Sequence, residues 1–363
     1  AGDIFTYSVT LSLAKGGTGT INADFGLAPN FDAGVTFNFN VGGNSKGTIV
    51  TSVDGATPTT VSSSTLAGQT LGEYLATQQT AEYSTGWFFD EGLTKVVSDD
   101  YLGVSLSEAS NSSLYCKTAS IDRLKFELNS DGSGYLVGCS DYSDAGGEFI
   151  IPNTYNGKKV VGTTAGRKDY SDLYGAFGRN AGYAVLPSKV VLPNTLQTIG
   201  DYAFVSAPIT SLIIPDSVTS IGMQAFEGCS LTEITIPKSV LKLGQNAFWK
   251  CKNLLSVIID GVTSIEYSVF SECSNLTSIK ILDSVTTIEM CAFEFCTSLT
   301  KIFIPKTVTT ISSRSFEYCS STLKIYCEAS EKPSGWENYW NYYDNSNQLT
   351  VTWGVTRAQF DAL

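Results

Sequence analysis

The chain has 363 residues, enough for two domains, and its 35 acidic residues against 23 basic ones leave a formal charge of -12 with no histidine. That balance argues against nucleic acid as a partner, because a polyanion needs a basic patch. The missing imidazole excludes Ser-His-Asp and Cys-His hydrolysis and His-based zinc sites. With 42% apolar residues, 16% charged residues and 33 glycines, the composition is that of a folded, β-rich protein. No stretch reaches the roughly 18 consecutive apolar residues of a membrane-spanning helix. A start at Ala1-Gly2-Asp3, without Met or a basic leader, is expected of a trimmed chain.

The first 120 residues hold no arginine, four lysines and eleven acids, so they carry -7 of the net charge and are expected to form a separate domain. Alternating apolar runs at 5–13, 35–41 and 114–117, divided by Gly-rich and Ser/Thr-rich turns, predict strands of a small β domain, with a short helix within 68–79. Residues 1–34 lie ahead of these, with a clean alternation at 4–13, a Gly-Gly-Thr-Gly turn and a second run at 20–25. They read either as an extra hairpin on the same domain or as a strand donated to a neighbouring molecule. Val-Thr-Phe-Asn-Phe-Asn from Val35 with Gly42-Gly43, and Thr-Gly-Trp-Phe-Phe-Asp-Glu-Gly-Leu from Thr85 with Leu114-Tyr115-Cys116-Lys117, resemble the Listeria-Bacteroides repeat first met in internalin B. The resemblance spans residues 35–118 and implies a β-grasp-like module, although 48–75 is longer than such a module needs.

Two further alternating runs, Leu-Lys-Phe-Glu-Leu from Leu124 and Tyr-Leu-Val from Tyr135, are joined across Asp131-Gly132, a hairpin signal. Residues 129–133 also space oxygens as a calcium loop does, but no Glu follows at the bidentate position, so the hairpin is preferred. Beyond it, Phe204, Phe226, Phe248, Phe270, Phe293 and Phe316 recur every 22 or 23 residues, and so do Cys229, Cys251, Cys273, Cys296 and Cys319. A period of that length predicts a solenoid over 121–325, whose coils cannot bury their apolar sides alone and therefore stack.

Within one unit, Leu212 and Ile214 face inward, Pro215 ends the strand, a second extended piece covers 218–221, and Ala225-Phe226 opens a short helical turn. The cysteine fills a small buried site. Equivalent Cβ vectors in stacked coils run parallel, which is poor disulfide geometry, so five free, buried thiols are expected. Cys116, Cys139, Cys291 and Cys327 lie off this ladder, and the candidate bridges are Cys291 to Cys296 and Cys319 to Cys327.

The unit Ile-Pro-x-Ser-Val-x-x-Ile-Gly-x-x-Ala-Phe-x-x-Cys-x-x-Leu resembles the BspA-like, or treponemal-type, leucine-rich repeat family over residues 124–355. The resemblance implies a solenoid on the surface of a gut or oral bacterium or a parasitic protist. The exit, residues 326–363, gathers Trp336, Tyr339, Trp340, Tyr342, Tyr343 and Trp353. These suit either a stacking platform for sugars or a cap over the last open coil. Similarity to the family's usual C-terminal cap favours the cap.

Without histidine, catalysis would fall to paired carboxylates, a Ser-Lys pair or a reactive cysteine. Asp90-Glu91 and Asp99-Asp100 sit in turn-like, solvated segments without glycosidase spacing, so no catalytic residue, metal or cofactor is expected. A solenoid instead presents one residue per coil as a ladder, here Ile213, Thr235, Ile258, Lys280 and Phe303 at outward strand positions. Three apolar members in an exposed row of five point to a contact surface, while strand propensity alone favours the same residue types. The expected protein is therefore β-rich mixed α/β: a small β-grasp-like module, a leucine-rich repeat solenoid of 22–23-residue units and a C-terminal cap. Its expected role is a secreted or cell-surface, non-catalytic adhesin for a protein or glycan on another cell or in a matrix. The alternative is a filament or surface-layer subunit that polymerises with itself by N-terminal strand exchange.

Overall fold

The computed structural model describes residues 19–21, 37–39, 48–53, 59–62, 69–78, 83–89, 112–116, 119, 121–139, 147–169, 172–178, 187–344 and 346–363. The run at 5–13, with the strand-donation reading that rests on it, and the pairs Asp90-Glu91 and Asp99-Asp100 lie outside these residues. Of the strands near the N-terminus, Gly19–Ile21 pairs antiparallel with Phe37–Phe39. Thr48–Val53 pairs antiparallel with Thr59–Ser62 and parallel with Ser112–Cys116. Helix α1, Leu71–Gln78, falls between the hairpin and the parallel return. It starts where it does because Thr70 and Glu73 form a capping box: the Thr70 hydroxyl accepts from the Glu73 amide, and the Glu73 carboxylate accepts from the Thr70 amide. Its Leu71, Tyr74 and Leu75 are buried.

Leu124–Leu128 and Tyr135–Cys139 form an antiparallel hairpin. Gly132 makes its turn possible at φ 72°, a left-handed value that costs glycine little. The second strand continues into a parallel ladder through Lys158–Thr163, Thr198–Ile199, Ser220–Ile221 and Lys242–Leu243. Ser264–Ile265, Thr287–Ile288 and Thr310–Ile311 carry the same two-residue step onward. A second row holds the longer strands: Glu148–Ile150 beside Lys189–Val191, then Glu233–Ile236, Ser256–Ile259 and Ser278–Ile281, then Lys301–Ile304, Lys324–Cys327 and Thr350–Trp353. All these coil-to-coil pairings are parallel, and apart from a register shift at Val160–Gly162 against the second hairpin strand they run in step, so each sequence position lies beside its equivalent in the next coil.

Two local expectations change. The second extended piece shrinks from 218–221 to Ser220–Ile221. The Ala-Phe corner is not a helical turn, because left-handed residues flank it in each coil: Asn246 (φ 57°) and Lys250 (φ 60°) about Phe248, Ser268 (φ 52°) and Glu272 (φ 59°) about Phe270. That geometry turns the corner amides toward the next coil rather than along a helix. Phe226 N donates to Ala247 O at 2.8 Å and Gly228 N to Trp249 O at 2.7 Å, so buried backbone groups are satisfied between coils.

The core is a column. Phe177, Phe204, Phe226, Phe248, Phe270, Phe293 and Phe316 are fully buried, and their rings stack at centroid spacings of 5.3, 5.2, 5.1, 5.5, 5.8 and 5.5 Å. The ladder cysteines run beside it. Each thiol donates to the phenylalanine carbonyl of the preceding coil: Cys229 to Phe204 at 2.8 Å, Cys251 to Phe226 at 3.1 Å, Cys273 to Phe248 at 3.3 Å, Cys296 to Phe270 at 3.2 Å and Cys319 to Phe293 at 3.0 Å. These five, Cys291 and Cys327 are all free thiols, so neither candidate bridge forms. Thiol titration of the denatured, unreduced protein is expected to find at least these seven, and a count of one or none would contradict the ladder.

Trp336 and Trp340 close the column. Both are buried; Trp340 meets Phe316 edge-on at 6.4 Å, and the Trp336 indole donates to Val308 O at 3.1 Å. Trp353 packs tilted against Trp336 at 5.6 Å and stays half-buried.

Candidate binding surface

The outward positions of the longer strands divide into an open half and a covered half. Ile213 is 46% exposed and Ile258 39% exposed, with Thr235 exposed between them and Lys280 half-buried. Phe303, expected to extend this exposed row, is 1% exposed. The reason lies at the C-terminus, where helix α2, Arg357–Asp361, folds back over the strands. Phe360 lies against Phe303 at 5.4 Å and Tyr326 at 5.5 Å, and the Lys301 ammonium sits 5.1 Å from the Phe360 ring centre. The Arg357 guanidinium lies over Phe303 at 4.0 Å and donates to Ile281 O at 2.6 Å. Burial lowers its pKa, while Asp361, Asp283 and Glu328 nearby oppose that shift.

Helix α2 was not anticipated from the sequence, yet its start carries a signal. Thr356 and Gln359 form a capping box, with the Thr356 hydroxyl accepting from Gln359 N and the Gln359 side chain accepting from Thr356 N.

The open half is a groove of about 600 Å³. Its floor is Ile213, Thr235 and Ile258, its sides include Val191, Pro215 and Pro237, and Lys189, Asp216 and Glu233 place both signs of charge along it. Phe88 borders one end. The segment holding Phe88 is fixed by Asn153 N donating to Ser84 O at 3.0 Å and by stacking of Tyr83 on Tyr155 at 5.6 Å. Gly86 permits this approach, since a Cβ there would stand 2.7 to 2.9 Å from the side-chain amides of Asn153 and Asn194 and would force them to shift.

Residues 211–214 cross the groove without regular pairing. Leu212 and Ile214 face the core, but among the described residues no backbone hydrogen bond ties this segment into the flanking strands Lys189–Val191 and Glu233–Ile236. The groove thus lies where the strand row is interrupted.

Among the described residues no three His, Cys, Asp or Glu side chains gather as a metal site. Burial pushes the thiols of Cys251, Cys291, Cys319 and Cys327 up to about 12, far from a nucleophilic thiolate at neutral pH. Burial also raises the Glu294 carboxyl, which accepts from the Ser271 hydroxyl at 3.3 Å. No described helix is long and apolar enough to cross a membrane.

The family model described as the BspA type leucine rich repeat region matches the chain in six copies, over residues 182–268 and 256–352, a little under half of its length. No curated protein matches the chain. Among solved structures, a leucine-rich repeat protein of T. pallidum is 20% identical, covering 50% of this chain and 89% of its own, with a TM-score of 0.38. One from Eubacterium ventriosum is 21% identical, covering 64% of this chain and 61% of its own, with a TM-score of 0.35. A leucine rich cell surface protein of Faecalibacterium prausnitzii is 18% identical, covering 67% of this chain and 96% of its own, with a TM-score of 0.21.

Proposed function

We propose that this chain is a non-catalytic, secreted or cell-surface binding protein, and that the open half of its strand face takes a segment of a partner protein. One observation carries the reading: the other half of the same face already holds a polypeptide, the chain's own helix α2, through an aromatic and an arginine anchor. Aromatic and arginine side chains are the residues that most often dominate protein interfaces. The open half offers a matching apolar floor at Ile213 and Ile258 with a polar rim. The BspA-type repeat match and the β-rich, weakly charged composition support a surface setting. The division at residue 120 and the β-grasp-like reading of 35–118 belong to the same proposal and rest on the composition shift and the sequence resemblance.

Selecting the full chain against a displayed random-peptide library tests the groove. Enriched peptides are expected to carry an aromatic or arginine anchor. The double variant Ile213→Asp/Ile258→Asp, with an unchanged Tm, is expected to bind them at least about tenfold more weakly, a loss of about 1.4 kcal/mol. Undiminished binding by that variant would place the contact elsewhere.

A further inference from the structure

The aromatic exit divides into two sets with different surroundings. Trp336 and Trp340 are buried at the end of the column, and Trp340 also lines the cavity there. Tyr339, by contrast, is 59% exposed. It meets Tyr342 edge-on, at an interplanar angle of 65° and 4.9 Å, which makes an aromatic corner. This corner and Trp353 line a cavity of about 510 Å³. That size falls within the roughly 300–1,000 Å³ range of small-molecule clefts. The cavity shares no lining residue with the strand-face groove.

The remaining lining is amide-rich. Asn338, Asn341 and Gln348 border the same space. Gln348 Nε2 donates to the Tyr342 hydroxyl at 2.7 Å, fixing one wall. Asn341 Nδ2 donates to Leu349 O at 3.4 Å, and its side-chain Oδ1 has no hydrogen-bond partner among the described residues. Asn338 makes no side-chain hydrogen bond among the described residues. Lys332 and Glu337 add one charge of each sign, and Glu337 is engaged by Ser313 N at 2.8 Å, so the lining has no net charge.

We infer that this cavity at the solenoid end is a binding site for a neutral hexopyranose. A pyranose has an apolar C–H face and a rim of hydroxyls that both donate and accept. Exposed aromatic rings supply the partner for the first, and amides, which also donate and accept, supply partners for the second. A flat apolar ligand would leave the amides unsatisfied, and an anionic one would meet a single lysine beside a carboxylate.

Saturation-transfer NMR on the full chain with the methyl glycosides of glucose, galactose, mannose and N-acetylglucosamine tests the assignment. At least one is expected to receive saturation at its ring protons. Tyr339→Asn removes the ring while keeping a residue that tolerates the left-handed backbone at φ 63°. It is expected to weaken that glycoside at least about tenfold. Gln348→Ala, which frees the Tyr342 wall, is expected to weaken it as well and serves if Tyr339→Asn does not fold. The groove variant Ile213→Asp/Ile258→Asp is expected to bind the sugar unchanged. Absence of transfer to all four glycosides at millimolar concentration would overturn the assignment. So would full binding by a folded Tyr339→Asn or Gln348→Ala protein, or loss of binding in the groove variant alone.

Discussion

Raising the pH from 8 is expected to unfold the solenoid, with its midpoint between about pH 9 and 11. The cause is the thiol ladder. Burial pushes Cys251 and Cys319 up to about 12 and holds Cys229, Cys273 and Cys296 well above the usual thiol range. A thiol released by unfolding titrates near ~8.5. The folded state therefore keeps protons that the unfolded state loses. The contribution of each thiol is whole below the free value and is lost as the pH climbs toward the folded one. Between the two, each thiol removes about 1.4 kcal/mol per pH unit, so five remove about 7 kcal/mol per unit, against a net stability of about 5–15 kcal/mol. Far-UV circular dichroism against pH follows the transition. A Cys251→Ser/Cys273→Ser variant retains a hydroxyl that can reach the same carbonyls but does not titrate in this range. Its midpoint is expected to move upward. A native spectrum persisting past pH 12, or an unmoved midpoint, would contradict the buried ladder.

Phe248→Ala is expected to cost about 3–5 kcal/mol, because it deletes a fully buried ring and leaves a cavity that the neighbouring coils cannot collapse into. Its ring stacks at 5.1 Å on Phe226 and 5.5 Å on Phe270, so contacts on both faces go at once. Aromatic pairs of this kind contribute about 0.5–1.5 kcal/mol each beyond area burial. Tyr267, on the next coil and 41% exposed, is the matched control. Its replacement by Ala is expected to change stability by less than about 0.5 kcal/mol. Urea denaturation measures both, and a cost below about 1 kcal/mol for Phe248→Ala would mean that the repeat phase is misassigned.

The contrast between Phe248 and Phe303 shows how far the amino-acid order carries. Phe248 recurs at a fixed step, and each copy has the same neighbours, so periodicity alone places its ring in the column. Phe303 also obeys the strand alternation, which sends it outward, but a helix beginning at Arg357 covers it through contacts that reach back 76 residues to Ile281. No local pattern encodes a contact of that range. The corner geometry was hidden for another reason. Apart from Gly228, the left-handed corner positions are filled by residues such as Asn246, Ser268, Lys250, Glu272, Cys291 and Phe295, so composition carried little mark of them. The stack of coils enforces the conformation by giving each corner amide a carbonyl in the next coil.

The hairpin Thr48–Val53 with Thr59–Ser62 lies within the stretch 48–75 that exceeds a β-grasp-like module, and Asp54-Gly55 between two β-branched runs is itself a turn signal. Trp336 and Trp340, expected to cap the last coil, are buried there, with Trp340 against Phe316. Their division from Tyr339 and Trp353 needed three dimensions, because burial there depends on which rings the last coil can reach.

The binding claim rests on the open half of the strand face, and site-specific photo-crosslinking tests it most directly. A benzophenone side chain placed at Thr235, on the groove floor, is compared with one at Thr263, an exposed position preceding the two-residue strand Ser264–Ile265. With a peptide selected on the wild-type chain, crosslinking is expected at position 235 and not at 263. Crosslinking at 263 alone, or equally at both, would contradict the placement of the partner on this face.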